Sequence, residues 1–463
     1  MLFNSYEYIL AFLPLTFFVY FYLNSRRLTQ ASRGFLVFSS LFFYSWWNIA
    51  YLPILLSSML FNYVIGTSLG KENKKVHAQT LLAIGVVVNI ALLGYFKYAD
   101  FFIANFNLAA GTNIELLHLA LPLAISFFTF QQIAYLVDSY RGETREYDFL
   151  NYAVFVTFFP QLIAGPIVHH KEMMPQFATV RNKVMNYKNI AAGIFIFALG
   201  LFKKVVIADY FATIATPGFD VATVLTFIEA WTASLSYTFQ LYFDFSGYTD
   251  MAIGAALLFN IKLPINFDSP YKALDIQDFW RRWHITLSRF LRDYIYIPLG
   301  GNRAGKFRTY NNLMVTFLIG GLWHGAGWTF VFWGFLHGAA LVLHRIWKRL
   351  GFTMPKVLAW FITFNFINIA WVFFRAKEWD DAIKVLHGMV SIDLISMTES
   401  PFLDHDSLWK IALAFVVILL MKNSMELLGI FKPSVKSALI TSVVLAYAIL
   451  SLEKISEFLY FNF

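Results

Sequence analysis

Histidine is the side chain through which this protein can move protons. The chain has ten histidines and no cysteine, so thiolate nucleophiles, thiolate metal ligands and disulfides are absent together. In GGLWHGAGWTFVFWGFLHG, residues 320–338, His324 falls at the middle of an uncharged apolar run at 313–335. It stands beside Trp323, among glycines that let other backbone or a substrate approach closely. A neutral imidazole in a low-dielectric pocket can take a proton from a hydroxyl, which is general-base work. His337 and His344, seven residues apart on one helical face, fit the plainer role of hydrogen-bonded structural groups.

Two other clusters carry polar chemistry. DFWRRWHITLSRFLRD, residues 278–293, reads as an amphipathic helix on the cytoplasmic side. At about 100° per residue, His284 shares a face with Gln277, Trp280 and Ser288. Asp278, Arg282, Arg289 and Asp293 lie opposite as a solvated face, with Arg281 and Arg292 between. QLYFDFSGYTD, residues 240–250, crowds Gln240, Asp244, Ser246, Tyr248 and Asp250 at the end of an apolar run, either as a pocket wall or as a polar helix end broken at Gly247. No metal is expected, because the adjacent His169 and His170 cannot form an i, i+4 pair and no HExxH occurs. GGNRAGKFR, residues 300–308, lacks the spacing of a phosphate-binding loop. Its Arg303, Lys306 and Arg308 read more simply as an anchor at the membrane surface.

The elements that must position these residues are membrane helices. Of 463 residues 59% are hydrophobic and 19% aromatic, and only 14% are charged, against about a quarter charged in soluble domains. Apolar runs close to the roughly 17–25 residues a bilayer requires recur near 8–23, 35–47, 49–68, 79–96, 117–137, 190–215, 224–245, 313–335, 357–374, 408–421 and 437–452. The expectation is an all-α integral membrane protein of about eleven spans, forming one polytopic domain over 1–463. Glu7 precedes the first run and Arg26 and Arg27 follow it, so that run reads as a retained span, not a cleaved signal. The net charge of +8 suits loops facing anionic lipid; nucleic acid is not an expected partner.

Basic loops tend to stay cytoplasmic. Arg26, Arg27 and Arg33, then Lys71, Lys74 and Lys75, then Arg141 and Arg145 fall on one side, which puts the N-terminus and the 105–116 loop in the periplasm and 138–150 and 262–312 in the cytoplasm. FVTFFPQLIAGPIVHH, residues 155–170, is interrupted by Pro160, Gly165 and Pro166 and followed by Lys171, Arg181, Lys183 and Lys188. A re-entrant element reconciles both facts, and irregular backbone at membrane depth requires burial in protein or a cavity. A funnel or pocket is therefore expected. Residues 376–389 read as an amphipathic helix at the interface.

PLAISFFTFQQIAYLVDSYRG at 122–142, FFPQLIAGPIV at 158–168, FDFSGYTD at 243–250, FWRRWHITLSRFLRDYIYIPLGGNR at 279–303 and GGLWHGAGWTFVFWGFLHG at 320–338 together resemble the membrane-bound O-acyltransferase family. The branch they resemble is that of bacterial alginate and peptidoglycan O-acetyltransferases, with a motif core at about 119–350. Two positions depart from it: Ile-Val-His-His at 167–170, where an arginine often follows the motif, and Phe290, where tryptophan is common.

The resemblance implies a ring of tilted helices with re-entrant or broken elements around a central funnel. It implies that His324 is the catalytic histidine of the Trp-His-Gly motif and that His284 is a second functional histidine near the cytoplasmic entrance. Trp323, Trp280, Arg281, Ser288, Asp244, Gln240 and Tyr248 are then candidate substrate-binding residues. No permanently bound cofactor is implied. The expected donor is acetyl-CoA, and the acetyl group passes across the bacterial inner membrane to a periplasmic or membrane-tethered acetyltransferase partner that modifies an exported or cell-wall polysaccharide. Two alternatives remain: D-alanyl transfer to teichoic acid by the same architecture, and a polymer or ion transporter. A transporter tends to show two related halves with paired broken helices, whereas one broken element is evident here.

Overall fold

In the computed structural model, the described residues are 1–71, 77–303, 305–391, 406–452 and 458–459; Lys74 and Lys75 of the basic-loop argument lie outside them. The described residues are helical, with no strand among them. Among the described residues, six helices are long and apolar enough to cross a membrane: Glu7–Ser25, Ile49–Gly70, Ala78–Ala110, Tyr187–Asp220, Trp328–Arg349 and Lys356–Arg375. A seventh arises if Ser407–Leu420 and Ser424–Ile430, bent by 49°, make one span. The protein is a multi-pass membrane protein.

Several of the eleven apolar runs do not appear as single long apolar helices. The 117–137 run becomes helical only at Ile125–Tyr140, after Pro122. Most of the 224–245 run, from Phe227 on, lies in a 32-residue helix, Phe227–Leu258, that carries Glu229, Asp244 and Asp250. The 313–335 run is split in two: one helix, Lys306–His324, stops at Gly325 and the next starts at Trp328. Gly325 and Gly327 are both fully extended there, and extended backbone cannot continue a helix.

The chain groups into two compact units. The first comprises Met1–Leu201, Tyr248–Pro264 and Phe431–Phe463. Its core is aromatic: Tyr8 lies against Phe43, Phe159 and Phe197 with ring centroids 5.7 to 6.2 Å apart. Asn62 and Asn89, both buried, exchange amide hydrogen bonds of 3.1 and 2.7 Å between two spans, a polar pairing that joins helices where the hydrophobic effect cannot.

The broken element of this unit consists of Phe149–Thr157, Phe159–Leu162 and His170–Ala178 with a non-helical link at 163–169. Asp148 caps the first helix by accepting from the N–H groups of Leu150 and Asn151. The interruption is nearly all buried, and side chains answer its exposed backbone groups. Gln131 and Gln161 both donate to the Phe155 carbonyl at 2.9 and 2.6 Å, and Ser40 Oγ accepts from Phe159 N at 3.2 Å. His169 and His170 meet Asp138 and Glu146 at 3.1 and 3.2 Å. Protein-buried irregular backbone is what the sequence implied for this stretch.

The second unit comprises Phe202–Gly247 and Ile265–Ile430. Its centre is built from Trp283, Trp333 and Trp371, each almost wholly buried. Two of its helices, Lys306–His324 and Trp328–Arg349, form a tight hairpin. A methyl group on Gly321 would stand 2.3 Å from the Phe330 carbonyl oxygen, and one on Gly334 would stand 2.4 Å from that of Phe317. Only glycine permits backbone contact this close. The expected amphipathic helix forms as Trp379–Val390, started by a capping box between Glu378 and Asp381.

Candidate active site

His324 is the last residue of its helix, not the midpoint of a span. The extended Gly325 and Gly327 end the helix just after it and take the imidazole off a regular helix surface. The ring is 3% exposed. It packs edge-on against Trp323 at 4.8 Å, Trp333 at 5.1 Å and Phe374 at 5.0 Å between centroids. An imidazole held among three aromatic rings is kept from bulk water.

The second histidine also departs from the single-helix expectation. Residues 278–293 form two short helices, Ile276–Arg282 and Ile285–Leu291, and His284 sits at the break with φ 43° and ψ 54°. It therefore shares no continuous helix face with Trp280 and Ser288. A non-glycine residue in the left-handed region costs roughly 1 kcal/mol or more and persists only where its surroundings hold it. Asn266 does so, with its Oδ1 3.1 Å from His284 Nδ1. The ring is fully buried, with Phe245 at 4.7 Å and Trp323 at 6.3 Å. Burial pushes its pKa down to about 3, so this imidazole is neutral at physiological pH.

Trp323 thus lies beside both histidines, which stand forty residues apart in the chain. His337 has a different part. Fully buried, it accepts the indole N–H of Trp280 on Nδ1 at 3.1 Å and packs on Trp333 at 4.6 Å. His344 stands 3.5 Å from Asp275.

A cavity of about 510 Å³ opens in the same unit, lined by Trp280, Arg281, Ser288, Tyr296 and His344 together with Arg289, Arg292 and Arg345. Trp280 connects it to the imidazole cluster, since its ring meets Trp333, which meets His324. Three of the sequence candidates, Trp280, Arg281 and Ser288, thereby share one wall. Arg289 and Arg292, assigned to a solvated flank or between faces, line it too, because breaking the helix at His284 turns the second half.

The remaining candidates lie elsewhere. Phe227–Leu258 runs straight through Gly247, so QLYFDFSGYTD is a mid-helix segment and not a helix end. Asp244, 1% exposed, holds Lys204 Nζ at 2.7 Å, and Asp209 holds the same ammonium at 2.9 Å; Lys203 donates to Ser246 at 3.2 Å. These contacts give the buried carboxylate an ionic partner. Gln240 is buried on the same helix. Tyr248 belongs to the first unit, stacked between Phe3 and Phe458. Sequence reasoning missed Asn266, Lys204 and Phe374, which lie outside every quoted motif, and Trp333, which lies inside the 320–338 stretch but has no feature there that sets it apart from the neighbouring aromatics.

The fold and site define a helical membrane protein organised around buried imidazoles. The family model of membrane-bound O-acyltransferases matches residues 137–377, a range containing both histidines and the arginine-lined cavity. A peptidoglycan O-acetyltransferase of Helicobacter pylori is 56% identical over 427 residues, covering 86% of this chain and 81% of its own. A probable alginate O-acetylase of Pseudomonas aeruginosa is 41% identical over 409 residues, covering 86% and 76%. A teichoic acid D-alanyltransferase of Streptococcus thermophilus is 28% identical over 280 residues, covering 54% and 68%. The chain belongs to the membrane-bound O-acyltransferase family and is an O-acyltransferase.

Proposed function

We propose that this enzyme is an inner-membrane O-acetyltransferase that takes an acetyl group from acetyl-CoA on the cytoplasmic side. It passes the group to a periplasmic or membrane-tethered partner that O-acetylates an exported or cell-wall polysaccharide. The observation that carries this reading is the pairing of His324 and His284 on Trp323, joined through Trp280 to a cavity edged by four arginines. Arginine suits phosphate through charge-assisted, often bidentate hydrogen bonds, so a phosphate-bearing donor fits that cavity. The greater similarity to O-acetyltransferases than to D-alanyltransferases favours acetyl over D-alanyl. The whole chain acts as one membrane domain with a periplasmic N-terminus.

In this reading His324 accepts the proton of the acceptor hydroxyl as its oxygen attacks the thioester carbonyl. The new C–O bond forms, the C–S bond breaks, and the proton passes from the imidazole to the leaving thiolate. Trp323, Trp333 and Phe374 hold the ring and exclude water, so that the thioester is transferred and not hydrolysed.

The test is acetyl ester formed per unit of membrane-inserted enzyme. His324→Ala is expected to insert normally and to lose about 10²–10⁴-fold in rate, as removal of a general base does. His337→Ala, which removes a buried acceptor from Trp280, is expected to lower the amount of folded protein while each remaining molecule keeps most of its activity. Unchanged specific activity in His324→Ala, or equal specific losses in both variants, would overturn the assignment.

A further inference from the structure

Asn266 is 1% exposed and lies in the connection ahead of the short turn Pro270–Lys272. Its side-chain oxygen gathers three contacts: the backbone N–H of Thr286 at 3.1 Å, the Thr286 hydroxyl at 3.0 Å and His284 Nδ1 at 3.1 Å. Its main-chain carbonyl accepts from Ile285 N at 3.0 Å, and two residues on Asp268 N donates to the Arg282 carbonyl at 2.9 Å. The two segments are laced together across the break that contains His284.

This lacing decides a proton position. A backbone N–H can only donate, so the Asn266 group facing Thr286 N must be the carbonyl oxygen and not the amide nitrogen. That same oxygen faces His284 Nδ1. An oxygen that accepts at this position requires a hydrogen on Nδ1, and a neutral imidazole carries only one ring hydrogen. The lone pair of His284 is then on Nε2, at the opposite edge of the ring. His337 has the reverse arrangement, because Trp280 N–H donates to its Nδ1 and its hydrogen must be on Nε2. Two buried histidines of one unit are held in opposite tautomers by their neighbours.

We infer that Asn266 is a positioning residue that sets His284 as the Nδ1–H tautomer and, by holding its left-handed backbone, presents Nε2 as a hydrogen-bond acceptor toward the substrates of acyl transfer. The inference rests on the reading of His284 as a functional group of the transferase. His284 in this role accepts from an N–H or O–H of the bound substrates and does not act as an acid, in keeping with its neutral, buried state.

The experiment uses full-length enzyme in liposomes labelled with ¹⁵N-histidine, with solid-state NMR reporting which ring nitrogen is protonated and His284→Gln identifying the His284 signals by difference. The expected result at neutral pH is Nδ1 protonated and Nε2 bare. Finding Nε2 protonated overturns the inference without any variant of Asn266. Asn266→Asp, which keeps an accepting oxygen, should retain Nδ1–H. Asn266→Leu, which cannot accept, should move the hydrogen to Nε2 and lower kcat by ten- to a hundredfold, whereas a merely structural asparagine would lower the yield of folded enzyme and leave the tautomer as it was. A changed tautomer with unchanged turnover would overturn the role of His284 in transfer while leaving the tautomer assignment intact.

Discussion

At the scale of residues, the proposed function assigns proton handling and hydrogen bonding to two buried imidazoles and charge recognition to a set of arginines. Arg281 and Arg345 line the cavity with Arg289 and Arg292. A charge-assisted hydrogen bond is worth about 1.5–3 kcal/mol, so Arg281→Gln and Arg345→Gln are each expected to raise the KM for acetyl-CoA by roughly tenfold or more with kcat little changed. Initial rates against donor concentration read this directly, and raised salt should narrow the difference. His284 leads to a pH prediction. Its pKa falls from an ordinary 6.5 to about 3 on folding, so between those values the unfolded chain binds more protons than the folded one. Stability is therefore full above pH 6.5 and declines as pH drops toward 3, by about 1.4 kcal/mol per unit at most from this group. Thermal melts of detergent-solubilised protein from pH 7.5 to 5 should show a shallower decline in His284→Gln than in the native enzyme.

At the scale of elements, close backbone packing and buried ion pairing hold the second unit. A methyl group on Gly334 would meet the Phe317 carbonyl at 2.4 Å, and that oxygen belongs to a helix that cannot yield locally. Gly334→Ala should force apart the hairpin that ends in His324 and reduce both folded protein and activity. Gly34→Ala, where a methyl group meets nothing within 4 Å, should be near neutral by the same fluorescence-detected melt. The Lys204, Asp209 and Asp244 cluster gives a second case. Removing one member of a buried ion pair costs about 3–5 kcal/mol because the other charge is stranded. Lys204→Met should therefore be far more destabilising than the double change Lys204→Met with Asp244→Leu, a coupling that a double-mutant cycle measures. Additive losses would show that Lys204 and Asp244 are not energetically coupled and would overturn the pairing argument.

At the scale of the whole molecule, the proposed orientation rests on the distribution of Lys and Arg between spans. With no native cysteine, single introduced cysteines report topology without background. A membrane-impermeant thiol reagent added to cells with a permeabilised outer membrane should label a cysteine at position 113 and not one at position 303. Labelling at 303 would invert the arrangement and overturn the proposed cytoplasmic placement of the arginine-lined cavity.

Composition and spacing by themselves determined that the chain is helical and membrane-embedded, that one buried element at 155–170 is broken, and that His324 and His284 stand out. Those properties follow from local chemistry: apolar length, proline and glycine interruptions, and the cost of polar groups in lipid. Tertiary structure decided the rest. The break of 278–293 at His284 was not legible locally, because Asn266, which hydrogen-bonds across it, lies outside that stretch. The family resemblance marked both histidines, but only packing could place them beside the same indole, since forty residues separate them. The partner of Asp244 lies forty residues upstream in another helix, and no periodicity links the two. Local pattern specifies which segments become helices; long-range hydrogen bonds and ring contacts, which depend on how those helices meet, specify where the helices break and which side chains share a pocket.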